Sequence, residues 1–310
     1  VITISLSNVN DAPTISQVTG AVAAYDFENG SGNAPSTVAG GPNMTVGGSV
    51  TYDSSAGRVA GSEGLLFNTA GISSAASVTL PNIPGVDSTG AITVASWVRY
   101  DAVDSWGRVF DFGVGGQANA FIVAREGTTN NLVVRYHNAS GGTIGEVAAT
   151  NALTGALGSW MHVAASLDTS GNMSLHLNGA LVGTTNVGAM TNLPTWTSNL
   201  VGCSNWSGDA LFRGAIDDFA IFDRVLLTGE VAALASATTQ PTIVNKSLAE
   251  NSADGTLVFN ANASDADAGD SLTYSIVSGK TNSTFAIDST TGQVTVSNSA
   301  ALDFEVNPSY

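Results

Sequence analysis

Apolar and polar side chains alternate with a period of two through most of the chain, as in Val1-Ile2-Thr3-Ile4-Ser5-Leu6, Ile92-Thr93-Val94-Ala95-Ser96-Trp97-Val98 and Leu272-Thr273-Tyr274-Ser275-Ile276. Each run is closed by Gly, Asn, Asp or Ser. This alternation sets one face of a strand on a core and the other in water, so the pattern predicts an all-β chain. One short helix is predicted over Thr228 to Leu234, with Thr228 as its cap and Val231 and Leu234 on one face. Asn178-Gly179, two residues that tolerate positive φ, predicts a tight hairpin turn. In Tyr25-Asp26-Phe27-Glu28 the aromatics take one face and the carboxylates the other, as a strand half buried against a second sheet requires.

Two linkers echo each other. Asn10-Asp11-Ala12 leads into Pro13-Thr14-Ile15, and Ala237-Thr238-Thr239-Gln240 leads into Pro241-Thr242-Ile243. Proline lacks an N–H and suits the start of an edge strand. The expected division is therefore 1–14, the tail of an upstream module; 15–239, a large sandwich; and 240–310, a smaller β module. With 9 Lys+Arg against 25 Asp+Glu the formal charge is −16, which repels a phosphate backbone and excludes a nucleic-acid partner. No apolar run approaches the ~20 residues that cross a bilayer, so no membrane insertion by this segment is expected. The single Cys203 excludes internal disulfides and Cys-based zinc sites, leaving stability to apolar cores and bound ions.

Tyr25 to Glu28, Ile92 to Val98, Arg108-Val109-Phe110-Asp111-Phe112-Gly113, Trp160-Met161-His162-Val163-Ala164, Leu175-His176-Leu177-Asn178-Gly179 and Gly214-Ala215-Ile216-Asp217-Asp218-Phe219 follow in an order that resembles the laminin-G-like jelly roll of the concanavalin A-like superfamily. The resemblance implies an antiparallel jelly-roll β-sandwich whose first and last strands are neighbours. Relatives often carry a Ca²⁺ that ties an early strand to the last one, and the matching positions are Asp26 or Glu28 with Asp217. The alternative is that Asp217 caps a turn or bonds to backbone.

Glucanases on this fold need closely spaced carboxylates on one strand face. The glutamates of this module, at 28, 63, 126, 146 and 230, form no Glu-x-Asp-x-Glu arrangement, and Asp26 with Glu28 is the only comparable pair. No Ser-His-Asp ordering stands out, and His137, His162 and His176 read as structural. The module is therefore expected not to be an enzyme. Trp106, Trp196 and Trp206 sit in polar, Gly-rich contexts, the last beside Asn205 and Asp209. Exposed rings stack on sugar C–H faces while amides and carboxylates meet hydroxyls, so these residues are candidate carbohydrate contacts. Equally, the rings could plug the ends of the sandwich.

Glu250-Asn251, Asp265-Ala266-Asp267 and Leu302-Asp303-Phe304-Glu305 resemble, in that order, the calcium motifs of a cadherin repeat, here C-terminally incomplete as a cadherin/Ig-like β-sandwich. Val1 to Pro13 resembles the last strand and linker of the same family, with Asn10 and Asp11 at the junction. The resemblance implies Ca²⁺ ligands at Glu250, Asp265, Asp267, Asp303, Glu305, Asn10 and Asp11. Independently of it, clustered carboxylates repel one another unless a cation neutralises them. The expected function is a calcium-dependent segment of an extracellular surface adhesin. Its jelly-roll head would bind carbohydrate or another cell-surface ligand, and adjacent repeat modules of the same chain would be its neighbours. Two alternatives are a structural spacer and an accessory carbohydrate-binding domain of a larger extracellular enzyme.

Overall fold

The computed structural model describes residues 14–15, 20–67, 78–83, 86–237, 248–249, 252–260, 263–264, 273–276 and 284–302. It divides into two compact units: Ala21–Gln240, and a second assembled from Val1–Gly20 together with Pro241–Tyr310.

The larger unit is built from two antiparallel sheets. In the seven-stranded sheet the order is Thr143–Ala149, Leu132–His137, Phe121–Arg125, Arg108–Gly113, Ser198–Val201, Val78–Leu80 and Thr45–Val46. In the eight-stranded sheet it runs Ala180–Asn186, Asn172–Leu177, Trp160–Asp168, Ala91–Tyr100, Gly214–Phe222, Gly64–Phe67 and Thr51–Asp53, and Ala21–Tyr25 also pairs with Gly214–Phe222. Alternate residues of both sheets enter one core, with Phe110, Phe112, Phe121, Val123 and Val134 from the first facing Ile92, Val94, Val98, Val163, Leu175 and Phe219 from the second. This is the all-β, antiparallel jelly-roll sandwich that the alternation and the resemblance implied.

The opening strand Ala21–Tyr25 lies beside the closing strand, with Tyr25 opposite Phe219. Tyr25 and Phe27 are both buried and their rings stack at 6.2 Å. Their shared face does not come from strand alternation alone, because the strand stops at Tyr25 and Phe27 turns to φ +56°. Asn178 (φ +50°) and Gly179 (φ +82°) make the expected hairpin turn between Asn172–Leu177 and Ala180–Asn186. The helix spans Thr228–Ser236, two residues longer than the apolar pattern gave. Its N-terminus is not capped by Thr228, which lies inside it: Glu230 reaches back to the Leu227 N–H at 2.9 Å while holding Arg224 through both carboxylate oxygens. Cys203 is buried and not in a disulfide, its pKa pushed up to about 11 by burial.

The smaller unit contains a sheet in the order Leu257–Asn260, Gln293–Val296, Phe285–Ile287. Val294 and Val296 are its buried apolar side chains, joined by Tyr274 and Leu302. Phe285–Ile287 and Gln293–Val296 form a hairpin, and Asp288 secures its turn by accepting from the Thr290 and Thr291 N–H groups. A separate two-stranded sheet joins Thr14–Ile15 to Ala263–Ser264, so residues from both ends of the chain meet in this unit.

Candidate functional site

Strand Arg108–Gly113 carries two polar residues on the face turned away from the core, and both are buried: Arg108 is 3% and Asp111 2% exposed. A buried guanidinium needs an anion, and Arg108 has two, Asp209 Oδ2 at 2.6 Å and Asp111 Oδ2 at 3.4 Å. Ser204 Oγ donates to Asp209 at 2.8 Å and the Asn205 N–H to Asp111 at 3.1 Å. Burial pushes the Asp209 carboxyl above the usual carboxylate range, against the pull of Arg108. The network pins the 202–212 loop onto the seven-stranded sheet.

The same loop bonds to its neighbour, where the Ala210 N–H donates to Ser105 O at 3.0 Å. That bond sets the segments bearing Trp106 and Trp206 side by side. Trp106 is fixed by a positive φ of 61° and lies against two guanidinium groups, Arg135 at 4.4 Å and Arg108 at 5.4 Å from its ring centre. Arg135 is itself held by Glu126 at 3.1 Å and by Glu146. Trp206 projects outward, 46% exposed. A half-buried indole on a charged brace beside a freely presented one is a rigid aromatic surface for apolar C–H faces, with Glu126 and Glu146 partly exposed beside Trp106.

The expected contacts are not all brought together. Trp106 and Trp206 lie on segments joined by the bond from Ala210 to Ser105. Asn205 and Asp209 are close by, but their polar atoms serve the protein: Asn205 Nδ2 donates to Asp111 Oδ1 at 2.9 Å and its Oδ1 accepts from Ser198. Trp196 is a correction. It is only 3% exposed, its ring stacks on Phe121 at 6.1 Å, and its Nε1 donates to Asn119 O at 2.7 Å, so it plugs the core. Sequence reasoning did not single out Arg108, Asp111, Arg135 and Ser204. A charge within a strand otherwise wholly buried, as in Arg108–Gly113, was the available signal.

The calcium positions proposed for the jelly roll form no cage. Asp217 is fully buried, its Oδ2 accepting from the Arg58 N–H and its Oδ1 from the Asp218 N–H, both at 2.8 Å. Both oxygens of Glu28 accept from the Glu63 N–H, at 3.1 and 3.3 Å. Asp26 is placed near enough to Asp218 to raise its pKa, but burial is the larger cause. Calcium takes six to eight oxygens, and among the described residues no three of His, Cys, Asp and Glu are grouped as a metal site requires. The set does not fit the ion, and Asp217 bonds to backbone instead. Glu250, Asp265, Asp267, Asp303, Glu305, Asn10 and Asp11 lie outside the described residues.

The three histidines are buried, as expected of structural residues. His162 lies opposite Trp97 on the eight-stranded sheet, and burial, with Arg58 and His176 nearby, lowers its pKa to about 3. Among the described residues no helix is long and apolar enough to cross a membrane.

Comparison with solved structures finds this sandwich in several binding modules. Domain 4 of AbnA, a GH43 extracellular arabinanase from Geobacillus stearothermophilus solved with arabinotriose, is 20% identical at a TM-score of 0.53, over 70% of this chain and 98% of that one. The binding domain of botulinum neurotoxin serotype G is 16% identical at a TM-score of 0.53, over 69% of this chain and 50% of that one. The binding domain of Paraclostridial Mosquitocidal Protein 1 gives 16% and 0.53, over 70% and 52%. This chain therefore spans about half the length of the two toxin domains. At such identities the likeness shows the fold alone. No curated protein sequence matches the chain. A family model for the cadherin domain matches residues 245–310. The laminin-G-type model matches residues 73–232, just over half of the chain, and on that match, with the sandwich described above, the chain belongs to the concanavalin A-like lectin/glucanases superfamily.

Proposed function

We propose that this chain is a non-catalytic segment of an extracellular surface adhesin, whose jelly roll binds carbohydrate on the bonded loops that carry Trp106 and Trp206. One observation carries the reading: two indoles on adjacent, internally braced loops, one of them 46% exposed. A solvent-facing tryptophan held by a buried ion-pair network presents its ring without a large ordering cost on binding. The superfamily supports the reading, as does an arabinanase domain of the same fold solved with arabinotriose. In the cadherin-like module, Glu250, Asp265, Asp267, Asp303 and Glu305, with Asn10 and Asp11, would hold Ca²⁺ through carboxylate and amide oxygens and stiffen the stalk. This part of the proposal rests on the order of the motifs and on the cadherin match.

The test is a glycan array followed by calorimetry on the wild-type chain, Trp206→Ala and Trp106→Ala. Binding that disappears in Trp206→Ala, with an unchanged melting curve, supports the site. A folded wild-type chain that binds no glycan across the array overturns it and leaves a spacer. The arabinanase likeness favours one second reading, an accessory carbohydrate-binding domain attached to an extracellular enzyme. A glycoside hydrolase domain elsewhere in the full-length protein would favour that reading.

A further inference from the structure

The carboxylates around the closing strand are crowded. Asp217 and Asp218 are neighbours, and the charges of Asp26 and Glu28 bear on Asp218. Residues this close need a positive charge among them, and the resemblance led to the expectation of a divalent ion. A side chain stands there instead. The Arg58 side chain is 7% exposed, with Nε and Nη2 each 2.9 Å from Asp218 Oδ2. Its Nη1 donates to Ala237 O at 2.8 Å, and its own N–H donates to Asp217 Oδ2 at 2.8 Å. The guanidinium carbon lies 4.7 Å from the centre of the Trp97 ring.

We propose that Arg58 is the built-in counter-cation of this jelly roll, occupying the role of the calcium ion expected at Asp26, Glu28 and Asp217. The fold of the larger unit is then independent of calcium. A fork of N–H donors suits this site better than a spherical ion. It satisfies one carboxylate and one backbone carbonyl in a plane and stacks on an indole, whereas an ion would need the oxygens of Asp217 and Glu28 that already accept backbone N–H groups. The contacts explain where the arginine has to be. They join the turn after residues 54–56 to the bulge of the closing strand, where Asp218 takes φ +49°, and to Ala237 just after the helix. Calcium dependence, where the chain shows it, belongs to the cadherin-like unit alone.

Tryptophan fluorescence separates the two units, because all 5 tryptophans, at 97, 106, 160, 196 and 206, lie in Ala21–Gln240. The experiment melts the full chain in millimolar CaCl₂ and in EGTA and follows that signal. The wild-type midpoint is expected to be the same in both. Arg58→Met is expected to melt roughly 10 °C lower, because it leaves buried carboxylates without their partner. Adding Asp218→Asn is expected to recover part of that loss. A wild-type tryptophan melt that rises by several degrees in calcium overturns the proposal, as does an Arg58→Met chain as stable as the wild type. Should Arg58→Met fail to fold, the wild-type comparison still decides, since it needs no variant.

Discussion

Trp196→Ala tests whether the local sequence or the packing decides what a tryptophan does. The side chain is 3% exposed, stacked on Phe121 and tilted against Phe112 at 6.3 Å. Truncating a buried tryptophan costs about 3–5 kcal/mol through lost transfer energy and the cavity left behind. The bond from Nε1 to Asn119 O adds about 1 kcal/mol. Together the loss is about 4–6 kcal/mol, which in a unit of this size lowers the midpoint by about 8–24 °C. Urea unfolding followed by the remaining four indoles reads it directly, with the slope against denaturant checked for two-state behaviour. Trp206→Ala is the paired control. At 46% exposure it is expected to change stability by less than about 1 kcal/mol while abolishing glycan binding. A Trp196→Ala loss below about 1.5 kcal/mol would refute the reasoning, since the ring would then not be part of the core.

Three other outcomes are expected. Arg108→Met strands Asp111 and Asp209 in a buried setting and should cost about 3–5 kcal/mol by chemical denaturation, a figure that a near-neutral result would contradict. His162 is neutral in the folded unit, with its pKa lowered to about 3 mainly by burial and further by Arg58 and His176. Unfolding lets it take up a proton, so its contribution to stability is complete above about pH 6.5 and is lost as pH falls toward about 3. Stability measured against pH should therefore slope less below about pH 6.5 in His162→Gln than in the wild type, and parallel curves would exclude the assignment. Gly214→Ala would place a Cβ 1.8 Å from the Arg99 carbonyl oxygen at φ +151°, so the backbone must shift. A loss above about 3 kcal/mol, or no folded product, is expected in expression and melting trials.

The jelly roll was legible because each strand carries its own alternation, and because Asn178-Gly179 announces a turn without help from distant residues. The site was only partly legible. Trp196 and Trp206 have equally polar neighbours, and what separates them is that Trp196 meets Phe121 and Asn119, residues far away in sequence. The same holds for Arg58 and Arg108. Each has a decisive partner, Asp218 for Arg58 and Asp209 for Arg108, that is 160 and 101 residues further on. Periodicity reports which face a residue takes and carries no information about a charge's partner across the fold. Asp217 was named as a calcium position by resemblance, and the residue that balances the carboxylates around it, Arg58, lies in a turn with no pattern to mark it.

The smaller unit draws a strand at residues 14–15 to one at 263–264, with the whole sandwich between them in the chain. During synthesis the first of these strands leaves the ribosome long before its mate exists. Until then it is an unpaired edge, open to wrong partners. The intervening sandwich can reach its own compact state meanwhile, which shortens the effective tether the early strand must close. Completion of the smaller unit is thus timed by the larger one, and a sandwich that matures slowly would leave the strand at 14–15 waiting for its mate.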